Sequence, residues 1–140
     1  MNLLKRASPS RTRPLPTWPS LTIGSNVGVY TLYAAKVANV RVVALEMLPW
    51  NYTTLITNLT LNNLHDKVSA FCIGVYDRIA AVSVNIPLPA DTWGGNGGQI
   101  NTDFDQYGHP MKTLYSMSAL AFTVDEFTAI EGVPFPNHIK

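Results

Sequence analysis

The stretch from Leu21 to Met47 restricts the fold of this chain more than any other. It opens with Leu21-Thr22-Ile23 and turns through Gly24-Ser25-Asn26-Val27-Gly28. A segment suited to a helix follows, from Val29 to Val37. A second apolar run, Val40 to Leu45, leads into Glu46. A chain that leaves a strand and enters a helix within a few residues visits backbone conformations that a Cβ disfavours, hence the glycines. The same glycines let a ligand approach the backbone. The strand, helix and second strand predict a parallel pair, and the continuous apolar run predicts a strand covered on both faces. Glu46 lies roughly 20 residues beyond Gly24, at the tip of the neighbouring strand, where a carboxylate accepts hydrogen bonds from ribose hydroxyls.

The turn also discriminates between ligands. Dinucleotide sites favour G-x-G-x-x-G, because a pyrophosphate rests on the helix N-terminus. Here Asn26 stands at the middle glycine, and Val29 and Tyr30 follow Gly28 directly. A nucleoside ligand without a pyrophosphate fits better, S-adenosylmethionine being the obvious one.

The run from Ile23 through Gly24-Ser-Asn-Val-Gly28 to Lys36 resembles the first motif of FkbM-type S-adenosylmethionine-dependent methyltransferases. Glu46-Met-Leu-Pro49-Trp-Asn51 is similar to that family's acid-Pro-x-Pro-x-Asn segment. Val68 to Asp77 resembles its third strand, and Thr123-Val-Asp-Glu-Phe127 with Pro136-Asn-His-Ile-Lys140 resembles the approach to its fourth. The likeness spans Leu21 to Lys140. Two positions depart from it: Thr22 stands where members usually carry an acid, and Met47 where they carry proline. In the family the segment after the equivalent of Lys140 continues into the rest of the sheet, so a truncated domain is expected here. The resemblance implies an α/β, Rossmann-like methyltransferase fold, with an incomplete parallel sheet and helices on both faces. It also implies S-adenosylmethionine as cofactor and a hydroxyl acceptor on a small molecule or glycan.

On this reading Gly24, Ser25, Asn26 and Gly28 hold the cofactor's amino-acid end, Glu46 its ribose, and Met47 packs on adenine. Asp77, at the end of the third strand, either meets the adenine amino group or caps a turn. The catalytic base is unassigned. Methyl transfer needs no metal, and His65, His109 and His138 show no ligand spacing.

At 140 residues the chain is one domain. We expect residues 1–20 to be an irregular lead-in and residues 21–140 the cofactor-binding part. The lead-in is basic, free of acids and rich in proline, which suits neither a helix nor a central strand; a targeting peptide is the other reading. Only 14% of residues are charged, which suits a piece of a larger domain with partly uncovered faces, including a sheet edge open to self-association. The net charge of +1 offers no argument for nucleic acid. Cys72 is alone, which excludes an internal disulfide. No apolar run approaches the ~20 residues of a membrane helix, and a cytoplasmic location is expected.

Further along, Val29, Leu32, Tyr33 and Val37 recur at helical spacing and are expected to face the sheet. Pro49 suits a first helical turn, with Tyr52, Leu55, Ile56 and Leu59 as the buried stripe of that helix. Val68 to Tyr76 reads as one strand with Cys72 in the core. Ala80 to Ile86 alternates, and is expected to pair with Leu114–Thr123 outside the main sheet. Residues 91–108 form a glycine-rich loop, read as a lid over the cofactor or a substrate loop; its Asn101-x-Asp103-x-Asp105 lacks the Gly and Glu of a calcium loop. Thr123 to Glu126 fits a capping box. Three functions compete: an FkbM-like methyltransferase, a nucleotide-binding oxidoreductase built on the same βαβ unit, and a catalytically inactive fragment that keeps only the cofactor half.

Overall fold

The computed structural model describes residues 19–87, 97–105 and 107–140. The lead-in reading and much of the 91–108 loop reading therefore lie outside the described residues. Four parallel strands make the main sheet: β1 (Ser20–Ile23), β2 (Val42–Leu45), β3 (Val68–Phe71) and β8 (His138–Ile139), in the order β3-β2-β1-β8. β1 and β2 pair from Ser20 with Val42 through Ile23 with Leu45, so their C-terminal tips are level. β2 is buried along its whole length, as its unbroken apolar sequence requires.

Helices cover both faces. On one lie α1 (Val29–Leu32), which widens into a π-helical turn over Tyr33–Val37, and α2 (Pro49–Leu61). Leu55 and Leu59 of α2 close a core with Ala35, Val42, Ala44, Leu64 and Val68, and Tyr52 and Ile56 flank it. Pro49 occupies the first turn of α2, where its missing N–H leaves no bond unmade. On the other face α3 (Val124–Thr128) inserts Phe127 among Leu21, Val43 and Leu45, edge-on to Phe71 with ring centroids 5.3 Å apart. Burying Phe127 contributes roughly 1.5–3 kcal/mol. Thr123 and Glu126 form the expected capping box reciprocally.

The packing face of the first helix differs from expectation. Val29, Tyr33 and Val37 are exposed, while Thr31 and Ala35 are fully buried and Leu32 packs at the margin of the core. Thr31 and Ala35, four residues apart, share the inward face, and a widened turn follows, in which the Ala38 N–H reaches back to the Tyr33 carbonyl. Small residues thus meet the core, which brings the helix close to α2.

The third strand also departs from the expectation of one continuous run. It leaves the main sheet after Phe71, and β4 (Gly74–Val75) pairs with β7 (Thr113–Phe122) in a second sheet ordered β4-β7-β5-β6. Cys72 stands at the crossing and is exposed rather than buried in the core. β5 (Ala80–Pro87) pairs antiparallel with β7, as its alternating pattern predicts. Its inward residues Val82, Val84 and Ile86 join Leu48 and Ala121 in a separate core. β6 (Gln99–Ile100) forms the outer strand beyond β5.

Candidate functional site

Gly24, Asn26 and Gly28 all have positive φ, at 65°, 54° and 96°. Glycine accepts this readily, and asparagine is the side chain that tolerates it best. The resulting turn is internally satisfied. The Ser25 N–H donates to the Leu45 carbonyl at 2.8 Å, and the Gly28 N–H to the Ser25 carbonyl at 2.9 Å. The Val27 N–H donates to Asn26 Oδ1 at 2.7 Å, and the Asn26 N–H to Glu46 Oε2 at 2.7 Å. Every amide from Ser25 to Gly28 thus has an intramolecular acceptor, and one of those acceptors is a carboxylate.

Glu46 is 5% exposed. Its second oxygen accepts the Leu48 N–H at 2.9 Å. The two backbone donors fix its orientation, and each oxygen keeps a lone pair for a further donor. The carboxylate borders a cleft of about 400 Å³ at the tips of β1 and β2. Ile23, Gly24 and Asn26 line it on the turn side, and Leu45 to Leu48 with Asn51 continue the wall. Ile73 to Val75 and Gly98 to Ile100 complete it. Glu46 is the only ionisable side chain among the described lining residues.

The structure treats the expected site residues unequally. Gly24, Asn26, Glu46 and Met47 meet at this cleft. Ser25 is buried beside it, its hydroxyl donating to the Thr22 carbonyl at 3.1 Å. Gly28 turns the chain into α1 and faces α2: a Cβ there would lie 2.5 Å from Leu55 Cδ1. Asp77 does not line the cleft. The chain has already left the main sheet, and Asp77 is exposed beside Arg78. Gly98 to Ile100 belong to the 91–108 stretch read as a lid or substrate loop, here partly a strand; Ile73 to Val75 escaped sequence reading because no local motif announces a wall supplied by a second sheet. Cys72 is at the rim, its thiol 4.0 Å from the Met47 carbonyl. Partial burial, and then the Glu46 charge, push its pKa up, so it stays a protonated thiol at neutral pH and a weak nucleophile. Among the described residues no cluster of three His, Cys, Asp or Glu could hold a metal, and no helix is long and apolar enough to cross a membrane.

These features define a Rossmann-like α/β unit with a cleft at its strand tips. No family model and no curated protein matches the chain. Solved structures do. The Pyrococcus horikoshii protein PH0793 is 25% identical over 43% of this chain and 23% of that one, with a TM-score of 0.41. P. horikoshii TYW2, in complex with MeSAdo, is 23% identical over 43% of this chain and 23% of that one, with a TM-score of 0.40. The N-terminal domain of human METTL16, in complex with SAH, is 21% identical over 41% and 22%, with a TM-score of 0.39. The chain spans less than a quarter of each. At such TM-scores the likeness is local, and the functional reading rests on the cleft's own residues.

Proposed function

We propose that this chain is the cofactor-binding part of an S-adenosylmethionine-dependent methyltransferase of FkbM type, acting on an oxygen of a small molecule or glycan. The observation that carries the reading is the internally bonded turn ending on Glu46. A pyrophosphate needs free backbone N–H groups and no anion beside them. Here the amides from Ser25 to Gly28 are occupied, and a carboxylate lies against them. A ribose diol is a pair of donors, and Glu46 offers it two oxygens with spare lone pairs. The donor set therefore fits an adenosyl group better than a dinucleotide.

Glu46 would hold the ribose, and Met47 would pack on the base. Gly24 and Asn26 would face the amino-acid end, with Ser25 and Gly28 shaping the turn behind them. Thr22 is buried where the resemblance expects an acid, so it offers no charge to a cofactor ammonium. Bound S-adenosylmethionine supplies a sulfonium methyl whose transfer leaves a neutral thioether. The residues around it need only align the reactants and exclude water. Leu45, Leu48, Ile73 and Val75 provide the apolar surroundings for that task.

Isothermal titration with S-adenosylmethionine and with NAD tests the reading. Heat with the first and none with the second is expected. Preference for NAD would establish an oxidoreductase-type nucleotide site, and heat with neither an inert unit.

A further inference from the structure

The residue expected to read the base edge, Asp77, is outside the cleft, yet the cleft has another group suited to that task. β6 is the outer strand of the second sheet, and its two residues, with Gly98 before them, line the cleft. The pairing fixes which backbone groups are committed. The Asn101 N–H donates to the Ser83 carbonyl at 2.8 Å, and the Ser83 N–H donates to Asn101 Oδ1 at 3.0 Å. Antiparallel ladders alternate bonded and non-bonded pairs. Gln99, opposite Asn85, is therefore bonded to β5, and Ile100, opposite Val84, is not. Ile100 turns its N–H and C=O away from β5, at the outer edge of the sheet formed by the described residues.

We infer that this N–H and C=O pair of Ile100, turned away from β5, reads the adenine edge of the bound cofactor. The inference rests on the cofactor reading above. The placement is contiguous with the ribose position: Met47 follows Glu46, and Met47 Sδ and Ile100 Cδ1 lie 3.7 and 3.5 Å from the Cβ position of Gly74. Gly74 thus presents bare backbone between the two side chains. Adenine offers an acceptor at N1 beside a donor at N6, which complements a backbone N–H beside a C=O. Hypoxanthine offers the reverse at both atoms, a donor at N1 and an acceptor at O6.

The test compares S-adenosylhomocysteine with S-inosylhomocysteine by titration calorimetry on the whole chain. Wild type is expected to favour the adenosyl ligand about 10-fold or more, since two neutral hydrogen bonds are exchanged for two repulsive contacts. Proline at an outer strand position removes the N–H without breaking the ladder. Ile100→Pro is therefore expected to bring the ratio towards one, whereas Ile100→Val keeps it. In the wild-type chain the Ile100 amide resonance is expected to move downfield and exchange more slowly with the adenosyl ligand and not with the inosyl one. This last measurement needs no variant to fold. Equal affinity for the two ligands, or an Ile100 amide indifferent to both, overturns the inference and leaves the cofactor reading standing. Binding of neither ligand overturns both.

Discussion

Glu46 and Asn26 are 20 residues apart and joined by a 2.7 Å hydrogen bond from the Asn26 N–H to Oε2. The bond ties the tip of β2 to the turn after β1, so the carboxylate is both a structural clamp and the polar centre of the cleft. Glu46→Gln keeps the shape but can accept through one oxygen only, leaving one buried N–H facing an NH₂ group. We expect unfolding in urea to show a loss of about 1–3 kcal/mol. S-adenosylmethionine affinity is expected to fall about 10-fold or more, since a charge-assisted acceptor is lost. Unchanged affinity in a folded variant would remove Glu46 from the site.

Thr31 is fully buried in α1, and its Oγ1 has no hydrogen-bond partner among the described atoms. Its usual helical acceptor, the Val27 carbonyl, takes the Asn58 Nδ2–H at 2.8 Å. Valine has the same shape without the hydroxyl. Thr31→Val is expected to raise stability by about 1 kcal/mol or more, the cost of an unmet buried polar group. A lower melting temperature would mean that the hydroxyl is bonded after all.

Gly28 combines a φ of 96° with a close approach to α2, where an added Cβ would lie 2.5 Å from Leu55 Cδ1 and 2.9 Å from Leu32 Cδ1. Left-handed backbone costs a β-carbon residue about 1–2 kcal/mol. Displacing two packed leucine tips adds about 1 kcal/mol or more. Gly28→Ala should therefore lose about 2–3 kcal/mol in denaturant melts, the sum of those two costs. Gly24→Ala carries the first cost only, because nothing lies within 4 Å of its Cβ position. Equal losses in the two variants would show that the contact with Leu55 has no weight.

Asp105 organises the 105–109 turn, accepting N–H groups from Tyr107 and His109, both at 2.8 Å. The His109 N–H first, then that of Tyr107, holds its pKa below the ordinary Asp range. The ionised form is thus favoured by the folded turn. Its stabilisation is complete above the unfolded-state value and disappears as pH falls through the lower folded value. The Tyr107 amide shift should show its Asp105 step below the ordinary Asp range. A midpoint at or above that range would contradict the arrangement.

What the sequence determined by itself is the frame of the site. The apolar run of β2, the proline opening α2, the Thr123–Glu126 box and the alternation of β5 each act through neighbours a few residues away. Their consequences were therefore legible in order along the chain. So was the placing of the glycine turn and Glu46 at one end of a parallel pair, because each follows the C-terminal tip of a strand in one βαβ unit. Tertiary structure alone decided the rest. The small face of α1 turned inward because the approach of Leu55 of α2 leaves room there only for small residues such as Gly28 and Ala35. Cys72 came to the surface, and Asp77 left the cleft, because Gly74 and Val75 found partners in β7 rather than β2. The far wall of the cleft came from β6, a strand of the second sheet brought opposite the glycine turn by the packing of the two sheets. Contacts of that range leave no period or motif in the chain, since what selects them is the packing of finished elements.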